Sequence, residues 1–273
     1  MIKRSKNILP GFTLSLGFSL TFISIIVFLP LAALALKSTE LSFQQFIQTI
    51  SHARSLSAIK LTFFTAIIAA AINMVIGMLV AWVFVRYEFP FKQWIDALID
   101  LPFALPTAVA GLVYANLYMR NGWIGQILAL AGIDISYSST AIILVLVFTG
   151  FPFVVRAVQP VLEEIEPELE EAAAILGASR LQTFCLVLWP MLRPAVVTGF
   201  ALALARGLGE YGSVIFVSSN LPGQTEVAPT LIVARIEENK YAEATALALV
   251  LLTASFFLLG AINFWERWSR RHE

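Results

Sequence analysis

Six glutamates, Glu163, Glu164, Glu166, Glu168, Glu170 and Glu171, fall within nine residues of a chain otherwise poor in charge, and Arg206 and Glu210 stand four residues apart inside an apolar run. These side chains can do electrostatic work. Spacing of four puts the guanidinium and the carboxylate on one helix face, where they partly neutralise each other. Covalent catalysis has no comparable signature. A hydrolase needs a nucleophile beside a base, yet the histidines lie at His52 and His272, and neither H-E-x-x-H nor G-x-S-x-G occurs. The one cysteine, Cys185, excludes an intramolecular disulfide and any multi-cysteine metal cage. Set among apolar residues at helical spacing, it reads as a core residue. No G-x-x-x-x-G-K-[ST] phosphate loop is present, so nucleotide chemistry is not expected on this chain.

The elements that position these groups follow from composition. The chain has 273 residues, 59% hydrophobic and only 13% charged, with a mean hydropathy of +0.82, whereas soluble domains carry about 25% charge. So little charge cannot clothe a water-soluble surface. The formal net charge is +0, which gives no reason to expect nucleic acid as a partner. Long uncharged runs predict an all-α integral membrane protein with six transmembrane helices at about 12–36, 61–85, 101–119, 137–155, 194–217 and 244–264. They form a single permease domain over 1–273, with lipid around it and no internal repeat. Lys3, Arg4 and Lys6 precede the first run, but the run is too long for a signal peptide and predicts an uncleaved anchor.

Lys and Arg concentrate at cytoplasmic flanks. The N-terminus, 86–100, 156–193 and the C-terminus hold 11 of them, including Arg86, Lys92, Arg156, Arg267, Arg270 and Arg271, against 6 on the other side. Both termini and a cytoplasmic loop at 156–193 are therefore expected inside. On the outer side, Leu221-Pro-Gly-Gln-Thr225 reads as a turn. The excursion at 37–60 and the stretch from that turn to about Tyr241 are either contacts for a solute receptor or plain surface loops.

Within the 156–193 loop, Leu162, Ile165, Leu169, Ala172 and Leu176 form an amphipathic stripe. Pro167 suits a first helical position, glutamates in the opening turn suit the positive helix end, and Gly177 suits the left-handed residue after it, predicting a helix over about 167–176. Ser179 with Gln182 forms a capping-box pattern that starts a second helix running to Trp189 before Pro190. Ala172, Ala173 and Ala174 let such a helix sit deep in another protein's groove. A helix lying on lipid is the other reading, although such helices favour Lys and Arg on their polar side.

In the third span Pro102 and Pro106 lie one turn apart. Each removes a backbone donor, which at membrane depth requires burial in protein or a wet cavity; a pathway-facing kink and a merely structural kink both satisfy this. With the helix starting at Pro194, Arg206 sits about 18 Å in, slightly beyond the midplane of a core of about 30 Å. Arg206 offset by Glu210 either biases a pathway toward anions or locks helix packing. Pro102, Pro106, Thr107, Arg206 and Glu210 are the candidate pathway residues.

Glu171-Ala172-Ala173, then Gly177, then Val187-Leu188-Trp189-Pro190 resembles the EAA loop of bacterial ABC importer permeases, whose pattern ends I-x-L-P. Val187 replaces the isoleucine and Trp189 the leucine, which keeps apolar bulk. The resemblance implies a type I ABC importer permease fold (MetI-like), with Glu171, Ala172, Ala173, Gly177 and Pro190 as ATPase-coupling residues. The loop would insert into a cleft of a cytoplasmic ATPase, whose closure on ATP rotates the attached spans. The runs from Asp96 to Leu112, from Pro152 to Glu164 and from Leu9 to Leu16 are similar to T-type permeases of sulfate/thiosulfate importers, a similarity that covers essentially the whole chain.

That similarity implies a non-catalytic subunit in the bacterial inner membrane. Its partners would be a W-type second permease, two ATPase subunits carrying the ATP and Mg, and an extracytoplasmic sulfate/thiosulfate-binding protein. Permeases for molybdate and related oxyanions share the loop and plan, so the substrate rests on the longer runs. An ATP-independent channel or carrier is the alternative that needs no ATPase dock.

Overall fold

The computed structural model describes residues 11–269. Lys3, Arg4, Lys6, Leu9, Arg270, Arg271 and His272 lie outside the described residues, as does the side chain of Arg267. Regular structure among the described residues is all helical. In chain order the helices are α1 (Phe12–Ser38), α2 (Phe43–Ser51), α3 (Ala53–Arg86), α4 (Lys92–Ile99), α5 (Leu101–Ala104) and α6 (Thr107–Tyr118). There follow α7 (Trp123–Leu130), α8 (Ser139–Glu164), α9 (Pro167–Ile175), α10 (Arg180–Leu208), α11 (Val214–Val217), α12 (Ala228–Glu237) and α13 (Tyr241–Ser269).

Among the described residues α1, α3, α8, α10 and α13 are the five helices long and apolar enough to cross a membrane. The stretch expected at 101–119 is broken. α5 stops at Ala104 and α6 starts at Thr107, because Pro106 biases Leu105 to extended backbone, φ −83° and ψ 132°. α6 alone rises about 18 Å, short of a hydrocarbon core of about 30 Å.

Other prolines are absorbed. α1 and α10 each contain a π-turn, Ser24–Phe28 and Phe184–Leu188, just before Pro30 and Pro190. A proline leaves a carbonyl four residues back without its donor. Here the amides of Leu29 and Trp189 bond Ser24 and Phe184 five residues back, and the helix runs on. The expected stop at Pro190 is thus overturned: α10 continues to Leu208 with Pro190 and Pro194 inside it. α8 likewise runs past the expected end at 155 to Glu164, through Pro152 and Pro160. Between these two helices only 165–179 remains of the expected 156–193 loop. Cys185, within the second π-turn, is exposed rather than in the core.

The core is the bundle of α3, α8 and α10. Ala66, Ala69 and Ala70 meet Val145, Val155 and Val158 of α8 and Leu192, Val196 and Leu204 of α10 in one buried cluster. Close approach centres on Val154: a Cβ on Gly77 would lie 2.8 Å from its Cβ, and one on Gly199 would lie 2.8 Å from its Cα. Small residues at such crossings give packing energy where apolar lipid supplies no hydrophobic drive. In contrast, α1 buries none of its first 26 residues, Phe12 to Lys37, and meets α13 through its Leu29–Ser38 half.

Candidate functional site

The acidic segment forms α9, and its ends are set locally. Pro167 occupies the first turn with Glu168 and Glu170 beside it, where carboxylates favour the positive helix end. At the other end Gly177 adopts φ +83°. Its amide bonds the Ala174 carbonyl, and the Ala178 amide bonds that of Ala173, the paired arrangement that closes a helix on a left-handed residue. Ser179 then opens α10 with a complete capping box: its amide donates to Gln182 Oε1 at 2.8 Å, and the Gln182 amide donates to Ser179 Oγ at 3.4 Å. The helix-turn-helix expected from spacing is present.

α9 is fastened to the end of α3 by Arg86. Its Nη2 lies 2.7 Å from Glu170 Oε1 and 3.5 Å from the Ile165 carbonyl, and its guanidinium stacks 5.7 Å over Trp82. The expected stripe splits in two. Leu162 and Ile165 enter the core, whereas Ile175 and Leu176 are 86% and 87% exposed, with Leu181 also exposed nearby. Of the candidate coupling residues, Glu171, Ala172 and Gly177 are exposed, but Ala173 is buried and faces the permease itself. Pro190 is exposed well inside α10, away from this tip. An exposed apolar tip at the end of an acidic helix can enter an apolar groove of another protein.

The candidate pathway residues gather at a junction of two helix breaks. α10 stops at Leu208, and the chain turns through 209–213 before α11. Glu210, 2% exposed, accepts from the Ser213 amide at 3.0 Å and from Ser213 Oγ at 2.9 Å, while its other oxygen lies 2.7 Å from Arg206 Nη2. α6 packs directly on this turn. A Cβ on Gly111 would lie 2.3 Å from the Ser213 carbonyl oxygen, and one on Gly212 would lie 2.3 Å from Thr107 Oγ1. Thr107 and Glu210 thus belong to one junction, entered through the Pro106 break. Pro102 sits one segment earlier, in α5. Glu210 holds the turn, and Arg206, 35% exposed, has more N–H groups than this ion pair uses.

Two other charged arrangements lay beyond sequence reasoning. Arg156 of α8 binds Asp96 and Asp100 at the α4–α5 elbow. At the far end of α3, Arg54 grips Glu226 through Nε and Nη2 at 2.8 and 2.7 Å, and the Ala228 amide donates to Thr62 Oγ1 at 2.8 Å. The excursions that contain Arg54 and Glu226 are therefore joined. The cation that joins Asp96 and Asp100 comes from 56 to 60 residues away, a separation that leaves no mark in the sequence.

Residues 73–271 match the family described as binding-protein-dependent transport system inner membrane component. The sulfate transport system permease protein CysT of Escherichia coli (strain K12) is 48% identical over 268 residues, 98% of this chain and 97% of that protein. The protein of the same name from Synechocystis sp. is 46% identical, over 93% of this chain and 89% of its own. The probable sulfate transport system permease protein of Marchantia polymorpha is 40% identical, over 98% and 93%. Among solved structures, a chain of a bacterial ABC transporter involved in import of the acidic polysaccharide alginate matches with a TM-score of 0.77 at 16% identity, over 94% of this chain and 96% of that one. A chain of the alginate transporter in complex with an alginate pentasaccharide-bound periplasmic protein matches at 0.76 and 19%, over 93% of each. At such identity the likeness is one of fold.

Proposed function

The chain belongs to the family of binding-protein-dependent transport system inner membrane components, and on that premise we propose that it is the T-type permease subunit of an ATP-driven sulfate/thiosulfate importer. The observation that carries this reading is α9, a short helix that starts at Pro167 among glutamates, closes on Gly177 and leaves its apolar tip, Ile175 and Leu176, in solvent. A channel or carrier working alone has no use for it.

In this assignment α9 enters a groove of a cytoplasmic ATPase, present in two copies that hold the ATP and Mg. Both termini lie on that side of the bacterial inner membrane. A W-type permease completes the pathway, and the broken α5–α6 segment supplies the sixth crossing beside it. An extracytoplasmic sulfate/thiosulfate-binding protein delivers the anion near the loops that Arg54 and Glu226 join. Arg206 faces the passing anion, with Glu210 holding the break in α10 open beside it.

The test is reconstitution of the chain in vesicles with its neighbouring permease, ATPase and binding protein. ATP-dependent sulfate uptake exceeding molybdate uptake is expected. Preference for molybdate would reassign the substrate, and uptake by this chain alone without ATP would overturn the importer reading. In the same vesicles Arg206→Gln is expected to lower sulfate uptake about tenfold with assembly intact; unchanged uptake would remove Arg206 from the pathway.

A further inference from the structure

Arg156 lies on α8 eight residues, about 12 Å, before that helix ends at Glu164, and α9 begins at Pro167. A guanidinium has five N–H groups, and here all five are engaged. Nε and Nη2 grip the Asp100 carboxylate at 2.9 and 2.7 Å. Nη1 donates to Asp96 Oδ1 at 2.8 Å and to Gln159 Oε1 at 2.9 Å, and Nη2 also donates to the Asp96 carbonyl at 3.0 Å. Asp96 is on α4, and Asp100 is the residue between α4 and α5, two before Pro102. Phe103 of α5 meets Phe153 of α8 edge to face at 5.0 Å, a second tie between the same two elements.

The position of this clamp bears on transport. On one side α8 leads into α9 through the buried Leu162 and Ile165. On the other, α5 ends at the Leu105–Pro106 break, beyond which α6 packs on the junction that holds Glu210. We propose that Arg156 is the positioning residue that carries a displacement of α9 to α6. It holds the α4–α5 elbow rigidly to α8, so that the Leu105–Pro106 break is the hinge at which α6 turns. The inference rests on the reading of the chain as an ATP-driven permease.

A guanidinium suits the task because five bonds to two carboxylates, a side-chain amide oxygen and a backbone carbonyl fix orientation as well as distance, which the three rotatable donors of a lysine cannot do. The cluster is partly open to solvent. Arg156, Asp96 and Asp100 are 30%, 33% and 45% exposed, and Asp96 and Gln159 border an open cleft of about 690 Å³. Assembly of each variant is therefore measured alongside its activity.

The experiment measures ATP hydrolysis and sulfate uptake in the same vesicles holding the complete complex. For Arg156→Gln, hydrolysis within twofold of wild type is expected together with at least a tenfold loss of uptake, hence fewer sulfates moved per ATP. Arg156→Lys should recover less than half of the loss, and Asp100→Asn should reproduce a smaller version of it. Unchanged uptake, or uptake and hydrolysis falling in equal proportion, would overturn the proposal. So would failure of both Arg156→Gln and Asp100→Asn to assemble, which would make the cluster a folding element. Wild-type vesicles with no ATP-dependent uptake would instead bring down the importer reading, and this inference with it.

Discussion

The helix α9 and the junction between α6 and residues 209–217 both sit where longer helices are interrupted, and they are held by different forces. α9 is bounded by hydrogen bonds within a few residues of itself, and its ties to the body are Arg86, Ala173 and the chain leading from Ile165. The junction depends on contacts between distant segments with no spare room, Gly111 on Ser213 and Gly212 on Thr107, around a carboxylate that is 2% exposed. One region offers apolar surface outward at small internal cost. The other holds an irregular backbone whose glycines leave no room for a side chain against the facing segment. Substitutions in the first should therefore alter what binds, and substitutions in the second should alter whether the protein holds together.

The strongest challenge to that contrast is Gly111→Ala. The added methyl would meet the Ser213 carbonyl at 2.3 Å, and overpacking of this kind costs about 1–3 kcal/mol. A fall of several degrees in the unfolding temperature of the detergent-purified chain is expected, with at least a tenfold loss of uptake. An unshifted temperature would show the junction to be looser than its geometry.

Next in size is Leu176→Arg, on the exposed tip of α9. It should reduce ATPase co-purification about tenfold while the unfolding temperature stays within a degree of wild type. Full retention of the ATPase would place the dock elsewhere. Ala173→Arg is a less clean probe of docking, because Ala173 faces the permease and its loss disturbs both surfaces.

The smallest effect sharpens the local side of the comparison. Ser179→Ala removes one half of the capping box at a cost of about 1 kcal/mol. Amide hydrogen exchange should speed up around 180–183 and stay unchanged at 107–118. Acceleration in both regions would mean that α9 and the junction are not independently held.

Much of α9 was readable before any fold, because caps act over three to five residues and the sequence holds all the participants. Pro167, Gly177, Ser179 and Gln182 each take the position their spacing implied. The proline reading met with mixed results for one reason. A missing amide can be answered by breaking the helix, as at Pro106, or by a π-turn, as at Pro190; the packing around the helix decides between them. The inward turn of Ala173 was equally hidden, since three adjacent alanines are equivalent until one side of the helix has a neighbour.

By itself the sequence determined that the chain is helical and apolar enough for a membrane, which residues bound α9 and cap the start of α10, and that Arg206 and Glu210 are close enough along the chain to pair. Those properties depend on composition and on separations of a few residues. Only the tertiary structure decided that Arg156 joins Asp96 and Asp100, that Thr107 and Glu210 meet at one junction, and that α10 passes through two prolines. These depend on the packing of α3, α8 and α10, which brings together residues whose separation along the chain carries no trace of the contact.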